Sequence, residues 1–519
     1  HHERSINIDA LVAVLLRRIA RGARFRLVFS SATADVERLK AWLSPVCDDA
    51  IPHIHVNGRT FPVEEHRIGN SDVLATTVSA LEQGQNVLVF QPGVKEIDAF
   101  CYELELSEVD AEILPLHAKM NKKEQDQVFA SYDRPKAVVA TNIAQTSITI
   151  SDLDVVVDTG CERRPTVDAF GTPGLIKALT SRADCDQRKG RCGRTRPGTY
   201  YLAGPPRERR YAFPLAEIQS SNLEGLLLQL KKGQYKPETL HWLDKPCHEQ
   251  LANARERLHL FGATKKNGYL TVIGEEMANY PLEPCYARMV CEAKRRGVLA
   301  DVLLMVAVAS TGRLLFDPNN DNYAHMASDA DSDFIFMRDL FVFELVDHEK
   351  IDQPEDLDAW LEERAIVPQH YRRAKELYLS LCAQTQTIPW EGISPISKHK
   401  DMLASVFVGL LPYGVWRVEG KNAVDQAGNR RQLAKHTAVP ESGKMIVGEP
   451  FNLTEEDGDT RYLLQRASVV TSRVIKDVFP QSGRDGLPQP KKQPELQVDQ
   501  KPAKKAGKAR KSRKKPVKR

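Results

Sequence analysis

From residue 24 to about 203, short runs of Val, Ile and Leu alternate with segments of helical spacing, and this alternation restricts the fold more than any other feature of the 519-residue chain. "RFRLVFSSAT" (24–33) predicts a strand ending in a small polar turn, with a helix from Asp35. "NVLVFQPG" (86–93) predicts a second strand closed by Pro-Gly, followed by the helical spacing of "VKEIDAFCYELE". "AEILPLH", "KAVVATN" and "LDVVVDTG" repeat the theme. The runs are continuous rather than alternating, as in strands covered on both faces. They predict a doubly wound parallel α/β domain.

The texture changes after Pro214. Residues 218–300 predict helices interrupted by "TKKNGYLTVIG", where Asn267-Gly268 forms a hairpin turn; helices plus one hairpin suggest a winged helix. Residues 300–380 read as all-helical, with the amphipathic "PEDLDAWLEERA" at 354–365. From about 400 to 480 short β runs return ("VFVGLLPYGVWRV", "GKMIVGEPF", "RYLLQRASVV"), spaced as in a small barrel or sandwich. No apolar run approaches the roughly 18 residues of a membrane span. Nine cysteines without a C-x-x-C argue against a disulfide framework or zinc ribbon and fit a reducing cytosol. His53 and His55 have no further ligands at suitable spacing, so no metal site is expected there.

Charge is unevenly distributed. Residues 501–519 carry 11 Lys/Arg and no acid, so the chain's net +4 leaves −7 for residues 1–500. Such a tail lacks the apolar anchors that repay ordering and is expected to be disordered. It suits phosphate contact, nuclear localisation or simple solvation. The first is the preferred reading. The expected location is cytoplasmic, or nuclear if the tail acts as such a signal.

The densest chemical signal is "DQRKGRCGR" (186–194), with Gln187, Arg188, Arg191 and Arg194 interleaved with Gly190 and Gly193. On a helix, Gln187, Arg191 and Arg194 would share one face, and the glycines would let it approach another surface. Forked guanidiniums aimed together suit a polyphosphate.

This stretch resembles motif VI, Q-R-x-G-R-x-G-R, of superfamily-2 helicases. "SAT" (31–33) is similar to motif III, "NVLVFQPG" to motif IV, "PLHAKMNKKEQDQVF" to the segment that follows it, and "ATNIAQTSITI" (140–150) to motif V in the wording of the DEAH-box (DEAH/RHA) helicases. The opening "HHERS" resembles the end of motif II, with His2 as its histidine. The resemblance implies a RecA-like lobe followed by winged-helix, helical ratchet-like and OB-fold domains. Its implied divisions are 1–55, the remainder of a first RecA-like domain; 56–215, the second; 216–282, winged helix; 283–395, ratchet; 396–482, OB-fold; and 483–519, basic tail.

The resemblance also implies roles. Arg191 and Arg194 would be arginine fingers on the γ-phosphate, set on a helix facing residues 1–55, with Gln187 positioning phosphate or water. Phe129 would stack on the nucleotide base, and Arg188 would belong to the nucleotide site. Ser31 and Thr33 would couple nucleotide state to strand binding, while Gly93, Thr141 and Asn142 would touch the nucleic-acid backbone. Gln145 departs from the family's usual Glu. ATP or another NTP with Mg²⁺ is the implied cofactor, and single-stranded RNA or DNA the partner, RNA preferred, with 3′ to 5′ translocation. No activating protein partner is legible.

Neither a G-x-x-x-x-G-K-[ST] phosphate loop nor a D-E-x-H acidic pair occurs in these residues. The expectation is therefore a helicase chain truncated within motif II and inactive alone. The rival reading is a non-catalytic nucleic-acid-binding protein.

Overall fold

The computed structural model describes residues 4–31, 35–47, 51–56, 61–118, 120, 122–146, 148–311, 331–348, 354–363, 366–393, 399–434, 437–439, 443–455 and 457–480. His2, Thr33 and the basic tail lie outside the described residues.

The expected parallel sheet is present. Strands β1 (Val63–Ile68), β2 (Val87–Phe90), β3 (Glu112–Leu116), β4 (Lys136–Ala140), β5 (Val155–Asp158) and β8 (Gly198–Ala203) align in the order β1-β8-β5-β2-β4-β3. Every pairing is parallel, with Val87 opposite Ala137 on one side and Val155 on the other. The residues of β2, β4 and β5 are all buried, which is why their sequences show no alternation. One apolar layer gathers Leu88, Phe90, Val138 and Val156; the opposite layer gathers Val87, Val89, Val139 and Val157.

Between β5 and β8 the chain makes an antiparallel hairpin, β6 (Cys161–Val167) and β7 (Pro173–Leu179). This hairpin leaves the parallel sheet and joins a second one. Strands β9 (Trp416–Glu419), β10 (Asn422–Asp425), β11 (Arg430–Leu433), β12 (Met445–Thr454) and β13 (Thr460–Val469) form a ring: β13-β11-β10-β9-β12 are neighbours in that order, and β12 pairs back with β13. β7 adds to the ring in parallel, Gly174 opposite Asn452. A Cβ at Gly174 would lie 2.4 Å from the Asn452 carbonyl oxygen, so only glycine fits this approach.

Helices sharing one core make up much of the rest, among them 248–260, 284–296, 299–310, 368–385 and 399–410. The hairpin expected at Asn267-Gly268 is a single antiparallel bridge, Thr264 to Leu270, with Gly268 at φ +83°. Among the described residues, no helix is long and apolar enough to cross a membrane.

Three expectations need correction. Of the expected β run "VFVGLLPYGVWRV", "VFVGL" instead completes the helix His399–Leu410, because its apolar residues are buried nearly all round, one side against the 284–296 helix, while "WRV" does open β9. "RFRLVFS" forms no strand: among the described residues no strand pairs with it, and Val28 is 92% exposed. A strand without a ladder leaves its backbone groups to water, so composition alone cannot sustain it. The helix expected from Asp35 does form, Val36–Leu43, capped by the Asp35 carboxylate. The third correction concerns the expected placement of residues 1–55 opposite the motif VI arginines. The contacts described for 4–42 run to 217–244: Arg4 and Arg38 pair with Asp244, the Ile6 amide donates to Glu217, and the His241 ring stacks on Trp42.

Candidate nucleotide and nucleic-acid site

The helix Arg182–Lys189 starts on a capping box. Ser181 Oγ accepts from the Asp184 amide at 3.1 Å, and the Asp184 carboxylate accepts from the Ser181 amide at 3.0 Å. The helix turns a polar face inward. Arg188, 1% exposed, donates through Nη1 to Asp158 Oδ1 at 2.7 Å and through Nε to Gln145 Oε1 at 3.0 Å. Its guanidinium stacks over Phe90 at 4.7 Å. Gln145 Nε2 donates to Asp184 Oδ1 at 2.8 Å and to Gln187 Oε1 at 3.0 Å. Tyr200 donates to the other Asp158 oxygen at 2.7 Å, and the Gly160 amide donates to Oδ1 at the same distance.

Burial opposes the charge on Arg188, yet Asp158 and Glu162 outweigh it and hold the guanidinium above its usual pKa. Burial likewise pushes Glu162 up to about 7, with Asp184 adding to the effect and Arg188 opposing it. The expectation of Arg188 in the nucleotide site is corrected here: its donors are committed inside the lobe. It is a positioning residue, pinning the helix to the end of β5.

The helix stops at Lys189, before Arg191 and Arg194, so the expected shared helical face with Gln187 does not exist. The arginines occupy the turn that follows. Gly193 shapes that turn at φ +72°, where a Cβ would come within 2.4 Å of Val63 and 3.0 Å of the Phe61 carbonyl oxygen. Gly190, at φ −69°, has only ordinary contacts and makes no such approach.

Arg191 Nη1 donates to the Ile148 carbonyl at 3.0 Å, and Arg194 Nη1 to Thr149 Oγ1 at 3.0 Å. Among the described residues, neither guanidinium has a carboxylate within 4 Å, whereas neighbouring Arg196 pairs with Asp154 and Arg207 with Glu65 and Asp186. Burial, then the nearby Arg194 charge, lowers Arg191 to about 10, which leaves it cationic at neutral pH. Two half-buried cations whose partners among the described residues are neutral oxygens have the chemistry to accept an anion.

Phe129 is 49% exposed at the end of a 3₁₀ turn leading to β4. That turn is braced by Lys136, whose buried ammonium donates to the carbonyls of Val128 (2.8 Å) and Ala130 (3.0 Å) and pairs with Asp152 at 3.0 Å. Asp152 in turn accepts from Arg196 at its carbonyl, 3.0 Å away. Phe129 precedes the start of β4, and Arg191 and Arg194 precede the start of β8, so all three sit at the N-terminal edge of the sheet. Gly93 follows the end of β2, and Thr141 and Asn142 follow the end of β4, at the opposite edge. Gly93 is extended there, packed against Glu96 and Arg163. Ser31 is half-buried, in a segment that pairs with no strand among the described residues.

The sequence reading missed Asp158, Glu162, Asp184 and Lys136. Lys136 left one signal, a lone base opening an apolar strand. The guanidiniums fit a polyphosphate; a metal ion is not matched, since no group of three His, Cys, Asp or Glu among the described residues is placed to hold one.

The family described as "Helicase conserved C-terminal domain" matches residues 70–196. The chain is 32% identical over 343 residues to the "Probable ATP-dependent RNA helicase DHX35 homolog" of Caenorhabditis elegans, covering 61% of this chain and 47% of that protein. It is 30% identical over 339 residues to the "Pre-mRNA-splicing factor ATP-dependent RNA helicase prp22" of Schizosaccharomyces pombe, covering 61% of this chain and 29% of that one. Two solved E. coli structures, "DExH-box NTPase HrpB" and "DEAH/RHA helicase HrpB", superpose with TM-scores of 0.68 and 0.67, each 26% identical; they cover 93% and 91% of this chain and 55% of theirs.

Residues 70–196 are thus a helicase C-terminal domain, and the chain is similar to the DEAH/RHA helicases of superfamily 2. The matched helicase domain contains the parallel sheet from β2 to the turn bearing Arg191 and Arg194. The chain spans about half the length, or less, of the relatives it matches.

Proposed function

We propose that this chain contributes the γ-phosphate-sensing lobe and the nucleic-acid-guiding domains of an ATP-dependent helicase acting on single-stranded RNA, moving 3′ to 5′. The observation that carries the reading is the pair of cations with no carboxylate within 4 Å among the described residues, Arg191 and Arg194, on the same sheet edge as exposed Phe129. There they would stabilise charge on a transferring phosphoryl group, while Phe129 stacks on the base and Gln187 orients phosphate or water. ATP supplies that phosphoryl group. Thr141, Asn142 and Gly93 would meet the strand at the opposite edge, so nucleotide and nucleic acid would bind the lobe without competing. Ser31 and Thr33 would couple the two, and His2 would belong to motif II.

The remaining divisions follow as part of the proposal. Residues 216–282 would be a winged helix, supported by the Thr264–Leu270 bridge between helices. Residues 283–395 would be the ratchet, and 396–482 an OB-type domain, supported by the five-strand ring. The 501–519 tail would add phosphate contacts.

The alternative reading is nucleic-acid binding without catalysis. Both readings predict that a polypeptide of these residues alone shows no RNA-stimulated ATP hydrolysis. They part when the chain is joined to a family RecA-like lobe that carries the phosphate loop and acidic pair. Hydrolysis should then appear, and Arg191→Ala or Arg194→Ala should reduce it by about 10³–10⁵. A joined protein that binds RNA but never hydrolyses ATP would leave the binding reading standing.

A further inference from the structure

We propose that Gln145 is the positioning residue that links the strand-facing loop after β4 to the helix whose exit carries Arg191 and Arg194, and that Asp184 dictates its identity as an amide. The inference rests on the helicase reading only for what that turn does.

A carboxamide offers one accepting oxygen and two N–H donors. Gln145, 6% exposed, uses both ends: its oxygen accepts from Arg188, and its nitrogen donates to Asp184 and Gln187. Those partners stand at 184, 187 and 188, which share one helical face. Gln145 itself lies in the short helix Ile143–Thr146, immediately after Thr141 and Asn142. One side chain therefore ties the two elements together.

A carboxylate at 145 has acceptors only. It would keep Arg188 but set a second anion against Asp184 and leave the Gln187 oxygen without this donor. The charged groups facing this spot are Asp184 and Arg188 on the helix, Asp158 at the end of β5 and Glu162 on β6, with the Tyr200 hydroxyl on β8. Arg164 reaches Glu162 at 3.4 Å from the rim. Arg188 is thus the fully buried cation serving Asp158 and Glu162, and a further carboxylate would have to hold a proton near neutral pH. The folded-state pKa of such an acid is raised. Its contribution is intact below the ordinary carboxylate range and is lost as pH rises through the raised value.

Asp184→Asn reverses the mismatch. The single oxygen of the new amide is needed by the Ser181 amide and hydroxyl, so its NH₂ would face the NH₂ of Gln145. Combining Gln145→Glu with Asp184→Asn swaps donor and acceptor across the same contact. The carboxylate introduced at 145 then accepts from the amide introduced at 184 and from Arg188 together, and the Gln187 amide can rotate to donate.

Thermal unfolding of the 519-residue chain at pH 5.5 and pH 8, with hydrogen exchange of the 188–193 amides, tests this without ATP. At pH 8 each single variant should melt roughly 3–8 °C below the wild type and lose protection in that turn. The Gln145→Glu deficit should shrink at pH 5.5, while that of Asp184→Asn should not. The double variant should return to within about 2 °C at both pH values and recover protection. Additive deficits, or a Gln145→Glu deficit that ignores pH, would overturn the pairing. Either result is independent of whether the joined protein hydrolyses ATP.

Discussion

Arg188 and Arg194 come from one eight-residue motif, yet they occupy opposite environments. Arg188 lies on a helix face pressed against β5, where Asp158 and Gln145 use its donors and Phe90 covers its plane. Arg194 lies beyond the helix, in a turn shaped by Gly193 at the sheet edge, with the Thr149 hydroxyl and the Gly190 carbonyl as its acceptors. The first residue spends its charge inside the protein. The second has no carboxylate within 4 Å among the described residues. What separates them is the distance to a buried carboxylate, not residue type.

Truncating each one makes the contrast measurable. Arg188→Ala would leave Asp158, fully buried, without its cation, at a cost of about 3–5 kcal/mol. Exchange of the β2 and β5 amides should accelerate accordingly. Arg194→Ala should change the same protection by no more than about 0.5–1 kcal/mol, its effect appearing in hydrolysis by the joined protein. Equal losses in protection would erase the distinction.

Glu162 sharpens the comparison from the acid side. Burial raises it from 4.5 to about 7, so its stabilising share is whole at low pH and lost as pH climbs through neutrality. Lobe stability should fall between pH 5 and pH 8 by at most about 3 kcal/mol from this group, and Glu162→Gln should flatten that slope. A denaturation series across that range reads it directly.

The two glycines of the motif differ in the same way. Gly193→Ala should cost about 1–3 kcal/mol, since it meets both a left-handed φ and the Phe61 and Val63 atoms. Gly190→Ala should stay within about 0.5 kcal/mol, measured in the same denaturation assay. If the two substitutions cost the same, Gly193 does not shape the turn.

Legibility followed the range of the interactions. "VLVF", "KAVVA" and "VVVD" were readable as strands because burial on both faces writes a continuous apolar run. "RFRLVF" carries the same kind of residues and forms no strand among the described residues, because a strand needs a neighbour to pair with. "VFVGL" misled in the other direction: helical burial on nearly all sides looks like a strand over five residues. At the site, the turn residues and the exposed Phe129 were visible as a motif. Lys136 was not, since its role is to hold carbonyls of the preceding turn, a geometry no spacing rule encodes.

By itself the sequence determined the parallel α/β lobe, the order of its strands along the chain and the helicase resemblance of its arginine-rich motif. These depend on local hydrophobic runs and on residue types within a few positions of one another. Tertiary structure alone decided which arginine is buried and which is available, that the helix ends before Arg191, and which groups the Gln145 amide joins. Those outcomes depend on groups distant in sequence, Asp158 against Arg188 and Gln145 against Asp184, brought within hydrogen-bonding distance by packing. A buried charge or amide is tolerable only where such a partner meets it, and only the folded chain specifies where that is.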